Sequence, residues 1–249
     1  MTDPIETVTI SEPDGPAPRG TLILIAGRGE TPEVYRRFGT RLAFDAYRVH
    51  VVGDPVPDPD GARALVAEIA SGPALPAPVV LVGSDTGALF AAALAQDGTV
   101  PGVAGLILAG LPVTEEAQPA GDWEAELQAR TTCPTHRGRI SGELVTPGAL
   151  YGAIPAGWFE AAALEEIALP TLAVHGQEDP VSPLDEARDA LSAIAELELV
   201  TIAGAPHDAL NDQTHRTAAA SVVLWLERLR LGRALTPIAT VQTVGAGRV

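Results

Sequence analysis

Short apolar, β-branched runs alternate along the chain with longer Ala-rich segments whose apolar residues recur at helical spacing. Val8–Ile10 and Thr21–Ala26 read as strands, separated by Ser11-Glu-Pro-Asp-Gly-Pro, in which Pro-Asp-Gly supplies a turn. Val34, Phe38, Leu42 and Ala43 fall near the 3.6-residue period, so Glu33–Phe44 is expected to be a helix. Arg48–Val52, Pro78–Val82 and Val103–Ala109 read as three further strands, with helices over Gly61–Ala70 and Gly87–Ala95 between them. From Gly110 to about Ala168 this alternation is lost, and Trp123, Tyr151 and Trp158 all fall there. That segment reads as an inserted lid of short helices. The alternation then resumes with strand Thr171–His175, helix Pro183–Ala195, strand Leu197–Ile202 and helix Gln213–Leu231. The tail from Gly232 to Val249 carries no helical stripe and reads as a loosely held extension.

Strands alternating with helices imply an α/β protein with a mostly parallel sheet covered on both faces. The expected organisation is a core built from residues 1–110 and 169–231, a lid over 111–168 and an extension over 232–249.

Composition narrows the function classes. An apolar fraction of 46% in 249 residues is ample for a packed core and excludes a disordered chain. Thirty-two acidic residues against sixteen basic ones give a formal charge of −16, which argues against nucleic-acid binding for want of cations to displace phosphate counterions. All sixteen basic residues are Arg, and the absence of Lys excludes Schiff-base chemistry. Cys133, alone, forms neither an internal disulfide nor a multi-Cys metal site. No His–carboxylate pair has zinc or calcium spacing, so no metal and no cofactor is expected. No apolar run reaches the roughly 18 residues of a membrane helix. The Met1-Thr-Asp-Pro-Ile-Glu start lacks the basic and apolar regions of a signal peptide, and a cytoplasmic protein is expected. Oligomeric state leaves no mark on the sequence.

The most informative stretch is Val79-Val-Leu-Val-Gly83-Ser84-Asp85-Thr86-Gly87-Ala88-Leu89, where a buried strand runs straight into a helix through Gly-x-Asp-x-Gly. A tight strand-to-helix turn requires small residues two before and two after its apex. Gly83 and Gly87 meet that demand only if Asp85 is the apex; centring the turn on Ser84 would put Val82 and Thr86 at the crowded places. The plainer reading is a Gly-rich turn with Asp85 capping the helix. Two later strands also end in polar loops: Thr171–His175 runs into Gly176-Gln-Glu-Asp179-Pro-Val-Ser-Pro183, and Leu197–Ile202 into Ala203-Gly-Ala-Pro-His207-Asp. All three loops follow strands, so their side chains are expected at the carboxyl edge of the sheet, where open α/β folds place their sites.

The turn resembles the nucleophile elbow of the α/β-hydrolase superfamily, and the chain order Asp85, Asp179, His207 is the order nucleophile, acid, histidine of that family. The front stretch Leu24-Ile-Ala-Gly27-Arg28-Gly29-Glu30-Thr-Pro-Glu-Val-Tyr35 is similar to the monoacylglycerol lipase and lysophospholipase branch, which carries His-Gly here, then Glu, then Tyr; this chain has Ala26 in place of the His. The resemblance spans about residues 7–110 and 168–231. It implies an α/β-hydrolase fold, with a mostly parallel eight-stranded sheet and a small helical lid. It also implies an oxyanion hole formed by the N–H groups of Arg28 and Thr86, and cofactor-independent hydrolysis of a small organic substrate.

An Asp at the apex is similar to the epoxide hydrolases and haloalkane dehalogenases: it is already ionised, attacks carbon directly, and forms an ester that a His-activated water hydrolyses. The likeness is partial. Thr86 stands where dehalogenases carry a halide-holding Trp, and Tyr151 is the lid's one Tyr where epoxide hydrolases use a pair. The alternatives are a Ser84 esterase of the lysophospholipase type and a catalytically silent binding fold in which Asp85 replaces a lost Ser. Further candidates for contact with substrate are Ser84, Tyr35, Trp123, Tyr151, Trp158, His136 and Arg137. The Trp residues serve equally well as lid packing, and His136 and Arg137 as a solvated turn opened by Pro134. Arg28 either binds a substrate carboxylate or phosphate or pairs with Glu30 or another nearby acid.

Overall fold

The computed structural model describes residues 5–72, 75–119 and 121–241. Most of the start read as lacking a signal peptide, and the end of the expected extension, lie outside them. The apolar runs become seven strands: β1 (Thr7–Ile10), β2 (Gly20–Ile25), β3 (Tyr47–Val52), β4 (Val79–Ser84), β5 (Val103–Ala109), β6 (Thr171–Gly176) and β7 (Leu197–Ile202). They form one sheet in the order β1-β3-β2-β4-β5-β6-β7, in which only β1 runs antiparallel to its neighbour. Seven strands among the described residues replace the eight expected. The residues between β1 and β2 include Pro13, Pro16 and Pro18, which lack the N–H a ladder needs, so the amino-terminal edge holds a single antiparallel strand.

Each strand of the centre serves two cores. In β2, Leu22 and Leu24 pack with Phe38 and Leu42 of α1 (Arg36–Phe44) and with Trp225 of α8 (His215–Leu231). Ile23 and Ile25 point to the other face, with Val66 of α2 (Pro59–Ala70), Leu89 of α3 (Thr86–Gln96) and Leu191 of α7 (Leu184–Leu191). The period-two alternation of a strand thus places helices on both faces. Two predicted helices are shorter than the sequence pattern suggested. Pro32–Tyr35 is a 3-10 turn that precedes α1, and α7 ends at Leu191.

Residues 111–168 carry α4 (Trp123–Arg130), α5 (Pro134–Ile140), α6 (Trp158–Ala162) and two 3-10 turns. The segment is tied down at several points. Asp212 accepts from Thr131 Oγ1 at 2.7 Å and from the N–H groups of Thr132 and Cys133 at 2.7 and 3.0 Å, fixing the start of α5. Glu30 and Val145 form a β-bridge, with Thr146 N–H on Gly29 O at 2.8 Å. Trp158 stacks at 5.3 Å on Phe90 of α3.

The order of strands reverses at β2: β3 lies to one side of it and β4 to the other. The loops leaving the carboxyl ends of β2 and β4 therefore diverge and leave a crevice, the position at which open α/β sheets hold their sites.

Candidate active site

Asp85 leaves β4 at φ 51° and ψ −126°, a left-handed-side conformation that costs an L-residue on the order of 1–3 kcal/mol. The turn is held by Asp85 N–H on Ala109 O at 3.0 Å and by Ala88 N–H on Asp85 O at 2.8 Å. The flanking glycines are obligatory on steric grounds. A Cβ on Gly83 would lie 2.1 Å from Gly87 O, and one on Gly87 would lie 2.3 Å from Ile25 O. Asp85 precedes α3, but its side chain makes no capping bond to the helix. It turns instead into the crevice.

There the loops after β6 and β7 deliver the other two predicted residues. His207 Nδ1 bonds Asp179 Oδ2 at 2.8 Å, and His207 Nε2 stands 3.5 Å from Asp85 Oδ1, too long for a good hydrogen bond. Among the described residues that buried Nε2 has no hydrogen-bond partner. Asp179 Oδ1 accepts from the N–H groups of Val181 and Ser182, both at 2.9 Å, which fixes the carboxylate. The His207 backbone N–H rests on Ala129 O of α4 at 3.0 Å, so the 111–168 segment helps to position the imidazole.

Arg28, in the loop after β2, makes the closest contacts to Asp85. Its Nε is 2.8 Å from Oδ2 and its Nη2 2.8 Å from Oδ1, a bidentate fork, and its backbone N–H is 3.0 Å from Oδ2. The remaining Nη1 donates to Gly152 O at 2.5 Å. Arg28, Asp85, Asp179 and His207 are all 6% exposed or less. Of the two sequence readings of Arg28, the resting structure shows the ion pair, with Asp85 rather than Glu30 as its partner. The second expected oxyanion donor, the Thr86 N–H, opens α3, where the helix offers it no acceptor.

These contacts set the charges. Burial pushes the Asp85 carboxyl upward, but the Arg28 and His207 cations outweigh it and hold Asp85 far below the ordinary carboxylate range. Asp179 is likewise lowered, burial being overcome by His207 and His175. For His207, burial favours the neutral ring, yet Asp179 and Asp85 prevail and raise it to about 10. The resting arrangement is therefore a carboxylate–imidazolium–carboxylate row capped by a guanidinium.

Beneath the row lies a second buried set, in which Arg130, Glu126 and Asp208 belong to no motif of the sequence. Arg130 of α4 meets Glu30 at 2.7 Å, Glu126 at 3.0 Å and Asp208 at 4.0 Å, and donates to Arg28 O at 3.2 Å. Tyr35 donates to Glu30 Oε2 at 2.5 Å, and Gly27 N–H to the same oxygen at 3.1 Å, which shapes the Arg28 loop. Burial and the Asp208 charge raise Glu30 to about 7 against the pull of Arg130 and Tyr35. His136 Nε2 is 3.3 Å from Asp208 Oδ2, which places His136 in this set and not among the lining of an open pocket. His175, near the end of β6, lies 3.3 Å from Asp179 Oδ2 and bonds Ser182 O at 2.7 Å.

The other candidates are dispersed. Ser84 ends β4 in register with Ala109, beside the Tyr35 hydroxyl, one residue short of the apex. Arg137 pairs with Glu124 near the surface. Trp123 packs against the α1/α8-side core and Trp158 against Phe90, so both act as packing for the 111–168 segment. Tyr151 lines a cavity of about 350 Å³ together with Ala129, Glu178 and Pro206. Among the described residues no group of three or more His, Cys, Asp and Glu side chains is placed to hold a metal ion, and no helix is long and apolar enough to cross a membrane.

No protein-family model matches the chain, and no curated protein is significantly similar to it. Solved structures are similar in fold. A monoacylglycerol lipase of Paleococcus ferrophilus superposes with a TM-score of 0.71 at 17% identity, over 90% of this chain and 99% of its own. A soluble variant of the monoglyceride lipase of Saccharomyces cerevisiae, bound to a substrate analogue, gives 0.70 at 15% identity over 92% and 94%. An esterase of Exiguobacterium antarcticum gives 0.65 at 17% identity over 90% and 95%. The chain has the α/β-hydrolase fold.

Proposed function

We propose that the protein is a cofactor-independent hydrolase of a small organic substrate, with Asp85 as nucleophile, His207 as proton carrier and Asp179 as the residue that orients His207. The observation that carries this reading is the division of labour between the two oxygens of Asp85. Oδ2 already rests on the Arg28 N–H, the place of an oxyanion, while Oδ1 faces the unpartnered His207 Nε2. The fold likeness to lipases and an esterase supports the hydrolase class.

In the first step a lone pair of Oδ1 forms a bond to the substrate carbon, and the bond to the leaving atom breaks with its electron pair. A departing alkoxide takes the Nε2 proton of His207; with a halide, that proton passes to solvent. Esterified Asp85 no longer holds the imidazolium, so His207 becomes a base only at this stage. Water then attacks Cγ, giving a proton to His207 while the charge on Oδ2 meets the N–H groups of Arg28 and Thr86. A donor of this kind lowers the barrier by roughly 2.7–4 kcal/mol. Collapse expels the product, which takes the proton from His207. The remaining carboxylic proton of Asp85 returns to the ring and restores the resting pair.

A specific observation favours a second reading, a silent binding fold: the Arg28 fork covers both oxygens of the would-be nucleophile. A Ser84 esterase has weaker support, since the apex and the His207 imidazole both belong to Asp85. The deciding experiment screens epoxides, haloalkanes and esters, then runs a single turnover of the accepted substrate in oxygen-18 water. The expected result is label in the Asp85 carboxylate, loss of turnover in Asp85→Asn and retention of it in Ser84→Ala. Label confined to product, with activity surviving in Asp85→Asn, overturns the mechanism; no turnover across the whole screen favours the silent fold.

A further inference from the structure

The Arg28 guanidinium has three donor groups in the site, and two of them grip a group that the reaction must free. Forming an ester on Oδ1 removes the charge of Asp85, which would leave the buried guanidinium without its ion-pair partner, on the neutral carbonyls of Gly152 and of the ester. An uncompensated buried cation is costly, so the reaction of a neutral substrate leaves Arg28 worse off than it began. A substrate that brings its own anion reverses this. We propose that Arg28 is the substrate-binding cation of the site and that the substrate is a small carboxylate, its carboxyl group taking the place of Asp85 in the guanidinium fork.

Three observations converge on that class. The fork is already fitted to a carboxylate, with Nε and Nη2 each 2.8 Å from an oxygen, so the resting Asp85 stands in for the ligand. A planar bidentate match of this kind is specific to carboxylate-like groups. A phosphate dianion would bring two charges among Asp85, Asp179 and Glu30, all of which lie around the same crevice; a monocarboxylate brings one, the charge that esterification removes. The fork also has a way out. Nη1 holds Gly152, which is half-buried and follows Tyr151, a lining residue of the 350 Å³ cavity. Glu178 and Pro206, the residues immediately before Asp179 and His207, line that same cavity. It therefore lies one residue's remove from the anchor of Arg28, from the acid and from the histidine. An opening thus lies beside the loops that hold Arg28, Asp179 and His207.

The inference rests on the reading of Asp85 as the attacking group, but its test is a binding measurement that needs no turnover, so the two fail separately. The probes are sodium butanoate, its neutral isostere butanamide and inorganic phosphate, titrated calorimetrically into the full chain. In the wild type Asp85 competes for the fork; in Asp85→Asn that competitor is gone. Butanoate is expected to bind Asp85→Asn at least about tenfold more tightly than the wild type, and more tightly than butanamide or phosphate. Because Arg28→Met alone leaves Asp85 buried and unpaired and risks misfolding, the control is the double variant Arg28→Met/Asp85→Asn, which removes both partners and is expected to lose butanoate binding. Equal binding of butanoate by wild type and Asp85→Asn, no binding by Asp85→Asn, preference for butanamide or phosphate, or binding that survives in the double variant would each overturn the proposal.

Discussion

Arg28 touches Asp85 twice over: its guanidinium spans both carboxylate oxygens at 2.8 Å, and its own backbone N–H holds Oδ2 at 3.0 Å. Side chain and main chain of one residue thus converge on a single carboxylate at the end of β4. With side chains only 7% and 4% exposed, neither partner has water to fall back on. Truncating one member strands the other. Arg28→Met is expected to destabilise the fold by roughly 3–5 kcal/mol, and the double variant Arg28→Met/Asp85→Asn to recover most of that loss. Urea unfolding of the wild type, Arg28→Met, Asp85→Asn and the double variant at pH 7 measures both terms. Additive effects in the double variant would mean that the pair is not coupled as the geometry requires.

The proton on His207 is held by its two flanking carboxylates against the cost of burial. Since the folded value lies near 10 and the ordinary one at 6.5, the stabilisation from this proton is complete below about 6.5 and is lost as pH rises through 10. A neutral residue at 85 imitates the esterified enzyme. Imidazole nitrogen shifts followed by NMR are expected to show His207 doubly protonated at pH 8 in the wild type, and to titrate at least about one unit lower in Asp85→Asn. An unchanged midpoint would remove the argument that His207 becomes a base only after Asp85 has reacted.

The parts of this molecule that were legible in the sequence are those written in local patterns. Seven β-branched runs became seven strands, and Gly83 and Gly87 marked Asp85 as the apex because the steric demand of the turn acts over two residues on each side. Loops that follow strands must end at one edge of a parallel sheet, which is why Asp179 and His207 meet Asp85 there. The eighth strand came from the resemblance, not from any run in the chain. The buried Arg130 set was not legible. Glu126 and Arg130 stand four apart on α4, a spacing normally read as a solvent-facing pair, and nothing local says that Glu30 and Asp208 close over it. The loop sequence marks Arg28 but not its partner, because a side chain of that length reaches acids on several loops.

The two elbow glycines make the steric argument testable. A methyl group at position 87 would press on Ile25 O at 2.3 Å and Ala26 O at 2.5 Å, which are main-chain atoms at the end of β2 and cannot swing aside as a side chain would. Gly87→Ala is therefore expected to cost at least about 1–3 kcal/mol and to move the Arg28 loop away from Asp85. Gly98→Ala serves as the comparison: a Cβ there meets nothing within 4 Å, and the positive φ of 74° leaves backbone strain as its sole cost. Thermal unfolding should rank Gly87→Ala well below Gly98→Ala, and the reverse order would show that the elbow tolerates a side chain.

Glu30 gives the fold a pH dependence opposite to that of an ordinary paired carboxylate. Burial and the Asp208 charge lift it from 4.5 to about 7, with Arg130 and Tyr35 only partly offsetting them. The folded protein then keeps a proton that the unfolded chain has already lost, so this stabilisation is present below about 4.5 and disappears as pH rises through 7. Asp54, raised to about 6 chiefly by burial, adds a contribution of the same sign. Glu30→Gln imitates the protonated state at every pH and leaves Arg130 its contact with Glu126. Measured by urea unfolding from pH 4.5 to 8, the stability of wild type relative to Glu30→Gln is expected to fall by on the order of 2–3 kcal/mol. The Glu33→Gln control removes a half-buried, Arg36-paired carboxylate whose value is lowered, and should show no such fall. A constant difference between wild type and Glu30→Gln would mean that Glu30 stays ionised throughout, with Arg130 stronger than burial.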